Sequence, residues 1–230
     1  MAERLRVGWI GTGVMGGPMA GHLLAAGCPV TVFNRTKTKA EGLLQKGAAW
    51  AESPAEVTRR CDVVFTIVGF PADVHQTYLG PEGICSALRP GQIAVDMTTS
   101  PPALAVEIAA AVAKAGAAAL DAPVSGGQVG AEGAKLTIMV GGEKAAYDAV
   151  LPLFQIMGKA VAHLGPSGSG QHCKMVNQIL IAGHMLALAE ALAYTKECSL
   201  QPAAVLEAVS AGAAGSWCVS ILGPRVVRGD

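Results

Sequence analysis

Val7-Gly8-Trp9-Ile10-Gly11-Thr12-Gly13-Val14-Met15-Gly16 begins as an apolar run and turns into a glycine triplet spaced G-x-G-x-x-G. Arg6–Gly11 reads as a strand. Behind the glycines, Met19, Leu23 and Leu24 recur at helical spacing until Gly27 stops the helix. A strand, a glycine turn and a helix in that order suit a pyrophosphate. The first glycine permits the tight turn, the second lets the backbone approach the anion, and the third brings helix and strand together. The helix start adds N–H donors and positive dipole. Gly11, Thr12, Gly13, Val14, Met15 and Gly16 are therefore the first candidate site, a cradle for a dinucleotide. In a chain with 29 glycines the alternative is a turn that serves backbone packing alone.

The alternation continues outward. Pro29–Asn34 is the next strand, followed by candidates at Asp62–Val68, Gln92–Met97, Ala118–Pro123, Leu136–Val140 and Ala160–Leu164. Helical sequence separates most of them, notably Pro102–Ala115 and Lys144–Met157. This is the signature of βαβ units, and it predicts an α/β Rossmann-type dinucleotide-binding domain over residues 1–165. No strand signal follows Leu164. Beyond Gly165-Pro-Ser-Gly-Ser-Gly170, helical sequence runs from about Gln171 to Cys198 and resumes over Pro202–Ala211. Residues 166–230 thus read as a long linking helix and the start of an all-helical domain that looks truncated. About sixty helical residues are too few for a core of their own. The expectation is that they pack on a second subunit.

Composition excludes several classes. Lys+Arg 17 against Asp+Glu 17 leaves no net charge, so no global basic field recruits nucleic acid or an anionic membrane. Hydrophobic residues make up 51% and charged residues 15%, well below the ~25% charge of an average soluble protein. Met1-Ala-Glu-Arg-Leu-Arg runs into the first strand with no leader-like apolar stretch. Met175–Ala193 is the most apolar segment, but Asn177, Gln178, His184 and Glu190 interrupt it, so it is expected to be a buried soluble helix. Six scattered cysteines without a C-x-x-C pair point to a reducing cytoplasm, and no His/Cys spacing suits a metal.

Three further clusters could carry chemistry. At the end of the second strand, where a carboxylate would bind the ribose hydroxyls of NAD, the chain has Asn34-Arg35-Thr36. With no carboxylate there to repel a 2′-phosphate, Arg35 can pair with it and Thr36 can donate to it, which favours NADP while leaving NAD possible. A solvated surface arginine is the alternative. Asp121-Ala-Pro-Val-Ser125-Gly126-Gly127 ends a strand with a hydroxyl and unobstructed N–H groups suited to a carboxylate, or simply with a glycine turn. Lys174 opens the long helix with Asn177 and Gln178 at i+3 and i+4, so one ammonium and two amides share a face. Apolar neighbours should desolvate the lysine and lower its pKa toward an acid–base range. Spacing alone reads equally as a lysine snorkelling past two satisfied amides.

Together these motifs resemble the β-hydroxyacid dehydrogenases, a family that includes 3-hydroxyisobutyrate dehydrogenase, tartronate semialdehyde reductase and, more distantly, 6-phosphogluconate dehydrogenase. The resemblance rests on Gly11-Thr-Gly-Val-Met-Gly-Gly-Pro-Met-Ala20, Val95-Asp-Met-Thr-Thr99, Asp121–Gly127 and Gly168-Ser-Gly-Gln-His-Cys-Lys-Met-Val-Asn-Gln178, in order along the chain. It implies that Lys174 exchanges the substrate hydroxyl proton while hydride moves to or from the nicotinamide. It implies that Ser125, Gly126 and Gly127 hold the substrate carboxylate and that Asn177 and Gln178 orient the substrate. Val68 and Gly69 would line the adenosine side and Thr99 would sit near the nicotinamide. The substrate would be a small hydroxy acid or its semialdehyde. The partner would be a second copy, in a homodimer or homotetramer built through the C-terminal helices, with no nucleic acid or membrane involved. Relatives are nearer 290 residues, so the expected chain lacks their last helices. Two rival readings share the scaffold: an imine reductase, in which another residue usually replaces the lysine, and a non-catalytic dinucleotide-binding module.

Overall fold

A computed structural model describes residues 5–230; Met1–Arg4, on which the leader expectation partly rests, lie outside the described residues. The strands are β1 (Val7–Ile10), β2 (Val30–Phe33), β3 (Ala49–Trp50), β4 (Val63–Thr66), β5 (Ile93–Asp96), β6 (Ala118–Asp121), β7 (Val124–Ser125), β8 (Leu136–Gly142) and β9 (Gly158–His163). The helices are α1 (Gly16–Ala25), α2 (Glu41–Leu44), α3 (Pro54–Arg60), α4 (Pro71–Leu79), α5 (Pro102–Ala113), α6 (Gly127–Glu132), α7 (Lys144–Met157), α8 (Ser169–Glu197), α9 (Pro202–Ser210) and α10 (Gly223–Arg228). The chain divides into two compact units, one ending at Lys174 and the other covering Met175–Asp230.

The first unit is the expected Rossmann-type domain. Its sheet runs β3-β2-β1-β4-β5-β6-β8-β7, with β9 pairing β8. The ladders from β3 to β6 are all parallel, while β8 runs antiparallel to β6. The order 3-2-1-4 reverses direction between β1 and β4, and such a switch point opens a crevice at the carboxyl ends of the two strands. Both glycine-loop and Val68 turns leave from there.

Period-two alternation explains how four-residue strands can be buried on both faces. Val7 and Trp9 of β1, with Val63 and Phe65 of β4, enter one apolar cluster together with Met19, Leu23 and Phe154. Ile10 and Val64 point the other way, into a cluster with Val57, Val74, Tyr78 and Ile108. Trp9 stacks on Phe65 at 5.4 Å, and Phe154 meets Phe65 edge-on at 5.9 Å. Seven predicted strands are present within a residue or two of their expected ends. β3 and β7 are additional, each two residues long.

The second unit comprises the remainder of α8, then α9, a π-turn at Cys218–Leu222 and α10. No strand follows β9 among the described residues, as expected. The expected burial of Met175–Ala193 is corrected. By length and composition α8 could cross a membrane, a test that core helices also pass, yet only 6% of its apolar window is buried. Val176, Ile179, Leu180, Leu186 and Tyr194 are exposed, and Leu188 and Thr195 are buried. Hydrophobic periodicity marks residues that prefer cover; it does not say whether cover comes from the same chain.

Candidate active site

Trp9 is fully buried and donates its indole N–H to the Gly11 carbonyl at 2.9 Å, fixing the glycine loop from below. Gly11 holds a φ of +96°, and a Cβ there would strike the Ile67 carbonyl. A Cβ on Gly16 would strike the Gly11 carbonyl and lie 2.8 Å from Ile67 Cγ2. Packing demands both glycines. Gly13 differs, because nothing lies within 4 Å of a Cβ built on it. Packing places no demand on Gly13.

Three other features fit a pyrophosphate. Helix α1 has no side-chain cap and no acidic residue in its first turn, so no carboxylate opposes its positive end, although the Gly17 N–H already donates to the Gly13 carbonyl at 2.9 Å and Pro18 has none to offer. Thr12 is 5% exposed, yet its Oγ1 has no hydrogen-bond partner among the described residues. Leaving such a group unsatisfied costs about 1–3 kcal/mol, which a bound anion would relieve. Val14 is exposed and Met15 half-buried at the rim of the loop.

Asn34 ties this loop to β2. Its Oδ1 accepts from the Thr12 N–H at 3.0 Å and its Nδ2 donates to the Thr36 carbonyl at 2.9 Å. Arg35 and Thr36 follow on the exposed turn. The strand end itself carries no carboxylate, but one reaches Arg35 from elsewhere in the fold. Asp73, on α4, places Oδ1 3.2 Å from Arg35 Nη1. The two residues are 38 positions apart, so no local pattern signals the pair.

Val68 enters the crevice beside Gly11, and its N–H donates to Thr98 Oγ1 at 3.0 Å; Gly69 is exposed next to it. Beyond β5, Thr98 and Ser100 are buried and Thr99 is exposed. The Ser100 hydroxyl has no hydrogen-bond partner among the described residues. Asp96, also buried, accepts from Thr66 Oγ1 and from the Thr98 N–H, each at 3.0 Å. Since Thr66 donates there, Tyr78 must donate its hydroxyl to Thr66, 3.1 Å away. Burial, only partly offset by these donors, pushes the Asp96 carboxyl up to about 6.

The start of α8 is bound to the end of β6 by groups that sequence reasoning had not assigned a role. Asp121 accepts from the Gly168 N–H at 2.7 Å and from the Gln171 N–H at 2.9 Å, capping the helix from a neighbouring strand. Burial raises its pKa, against those same backbone donors. Gln171, 2% exposed, donates Nε2 to the Thr98 carbonyl at 2.8 Å and accepts from the Ser100 N–H at 3.0 Å. One buried amide thus joins the turn carrying Thr99 to the turn that precedes Lys174. Asp121 opens the Asp121–Gly127 motif, but a cap drawn from 47 residues upstream leaves no spacing to read.

Lys174 is half-buried, and its Nζ donates to the Val124 carbonyl at 2.9 Å, next to Ser125. Burial lowers its pKa, the expected direction, although the apolar residues that follow it on α8 are mostly exposed. Ser125 is half-buried, and Gly126 and Gly127 follow exposed with positive φ. Lysine, serine and the two glycines are therefore gathered at the carboxyl end of β6. This places an amino group next to a strand end that carries a hydroxyl and a glycine turn. Asn177 and Gln178 belong to the second unit, where Asn177 Nδ2 donates to Gln178 Oε1 at 2.9 Å. Among the described residues no group of His, Cys, Asp and Glu could hold a metal.

Comparison with known proteins gives two family matches that together cover most of the chain. Residues 6–165 match the NAD binding domain of 6-phosphogluconate dehydrogenase. Residues 168–230 match the NAD-binding model of NADP-dependent 3-hydroxyisobutyrate dehydrogenase. An uncharacterised oxidoreductase of Bacillus subtilis is 50% identical over 224 residues, 97% of this chain and 78% of that protein. A probable 3-hydroxyisobutyrate dehydrogenase-like protein of Arabidopsis thaliana, named as mitochondrial, is 50% identical over 98% of this chain and 67% of its own length. The solved structure of Mycobacterium tuberculosis 3-hydroxyisobutyrate dehydrogenase with L-serine superposes with a TM-score of 0.88 at 30% identity, over 96% of this chain and 75% of that one.

Proposed function

The chain belongs to the β-hydroxyacid dehydrogenase family of NAD(P)-dependent oxidoreductases, and on that premise we propose that it interconverts a short 3-hydroxy acid and its semialdehyde, preferring NADP. The observation that carries the reading is Lys174: half-buried, lowered in pKa, and held 2.9 Å from the carbonyl next to Ser125. The nicotinamide, when bound, supplies or accepts the hydride. Lys174 handles the proton. As the ammonium it donates to the substrate oxygen during reduction, and as the amine it takes the hydroxyl proton during oxidation. As the ammonium its charge also stabilises developing alkoxide.

Ser125 and the N–H groups of Gly126 and Gly127 receive the substrate carboxylate, and Asn177 and Gln178, one helical turn beyond Lys174, orient the substrate. Gly11–Gly16 cradle the pyrophosphate. Val68 and Gly69 flank the adenosine, Thr99 stands at the nicotinamide side, and Arg35 with Thr36 meets the 2′-phosphate. The exposed apolar residues of α8, including Ile179, Leu180 and Leu186, are consistent with a homodimer or homotetramer formed through the C-terminal helices. The polar interruptions at Asn177, Gln178, His184 and Glu190 favour that over a bilayer.

The decisive assay follows NADPH and NADH oxidation across tartronate semialdehyde, glyoxylate, methylmalonate semialdehyde and a cyclic imine. Lys174→Ala should keep dinucleotide affinity and lose about 10²–10⁴-fold in turnover on the semialdehydes. Undiminished turnover overturns the assignment of Lys174, and selective reduction of the imine overturns the substrate class. Light scattering showing a monomer overturns the oligomer.

A further inference from the structure

Arg35, the residue assigned to the 2′-phosphate, already has a carboxylate at its guanidinium. Asp73 lies 3.2 Å from Arg35 Nη1, and the two side chains differ sharply in freedom, with Arg35 88% exposed and Asp73 30%. Asp73 sits in the first turn of α4, and its second oxygen accepts from the Phe70 N–H at 3.2 Å. The same oxygen would lie 3.0 Å from a Cβ on Gly69, so the carboxylate is folded against the turn assigned to adenosine. The acid is fixed and the base is a long arm laid across to it. Of the neighbouring cations, Lys37 lies over the Trp50 ring and 3.9 Å from Glu52. A 2′-phosphate arriving at Arg35 therefore meets a pair with no net charge.

We infer that Asp73 is a specificity-determining residue for the dinucleotide: it opposes the 2′-phosphate and holds Arg35, so the margin between NADPH and NADH is set by the Arg35–Asp73 pair. This rests on the reading that Arg35 faces the 2′-phosphate. NADH brings no charge to the pair and leaves it intact. NADPH must draw the guanidinium off Asp73, or share it, with a fixed negative charge alongside. Removing one negative charge from the solvent-rich surroundings of a nearly doubly charged phosphate is worth about three- to tenfold in affinity at ordinary salt.

The test measures dissociation constants for NADP+ and NAD+ with the wild-type chain, Asp73→Asn, Asp73→Ser and Arg35→Ala. Asparagine keeps an acceptor for the Phe70 N–H without the charge. Serine keeps a shorter one, should asparagine disturb the α4 start. Both should bind NADP+ about three- to tenfold tighter, with NAD+ changed less than about twofold, and the gain should shrink as salt rises. Arg35→Ala should weaken NADP+ alone. If Arg35→Ala lowers the NADP+/NAD+ preference but neither Asp73 variant raises it, the role of Asp73 is refuted and the 2′-phosphate reading stands. If Arg35→Ala leaves the preference unchanged, that reading fails and the role of Asp73 falls with it.

Discussion

α1 and α8 both start beside the carboxyl end of a parallel strand, β1 in one case and β6 in the other, and their first turns are finished in opposite ways. α1 has no capping side chain and no acid, and its glycine loop leaves open space over Gly13. α8 has its leading N–H groups taken by the buried Asp121 carboxylate and its next side chain, Gln171, bonded at both ends. An open helix start is a receptor for an anion. A closed one is a mount, and what it presents is a side chain a turn later, Lys174. One helix start is left without a side-chain cap, and the other is capped by a carboxylate from a neighbouring strand.

Substitutions can break each half of that contrast. The largest effect should come from Asp121→Ala, which leaves two buried N–H groups without an acceptor. Chemical denaturation should show a loss of about 2–5 kcal/mol, and turnover should fall even where the chain stays folded. Stability within error of wild type would mean that α8 does not need its cap. Next is Gly16→Ala, whose Cβ meets backbone that cannot move aside; an overpacked site of this kind costs about 1–3 kcal/mol or more, read as a lower melting temperature together with lost dinucleotide binding.

Asp96→Asn should act in the other direction. The folded-state carboxyl keeps its proton to about pH 6, against an ordinary value of 3.8. The folded state therefore binds the extra proton between those values, and stability falls as pH rises through that window. Asparagine retains the oxygen that accepts from Thr66 and Thr98, so the variant should be more stable at pH 7 by up to about 3 kcal/mol. Its stability should also be flatter between pH 4 and 6, and an unchanged pH profile would remove Asp96 as the cause. The smallest effect on folding belongs to Gly13→Ala, within about 1 kcal/mol, although dinucleotide affinity should drop about tenfold. A large loss of stability there would show that packing, not the ligand, requires Gly13.

The sequence was most readable where the signal is local. Apolar runs bounded by Gly, Pro and Asn mark β1, β2, β4 and β5, and the glycine spacing marks the loop between β1 and α1. β3 and β7, two residues each, are too short to carry a period. The helix at Lys174 was legible as helix, but its exposure was not, because amphipathic pattern does not reveal which chain supplies the cover. Long-range polar partners were the least legible. Asp121 reaches Gly168, Gln171 reaches Thr98, and Arg35 reaches Asp73, each across dozens of residues that only the folded sheet brings together. Asn34-Arg35-Thr36 shows no carboxylate at its strand end, and the one that meets Arg35 arrives from another βα turn.

Trp9 gives the glycine loop a spectroscopic label of its own. Its indole is bonded directly to the loop carbonyl and stacked on Phe65 in the core, while the other two tryptophans are Trp50, beside Phe33, and the exposed Trp217. In a chain carrying Trp50→Phe and Trp217→Phe, the remaining emission would come from beneath the loop alone. A shift in its wavelength would report strain in the loop, and quenching on addition of reduced dinucleotide would report occupancy, without an external dye or a turnover assay.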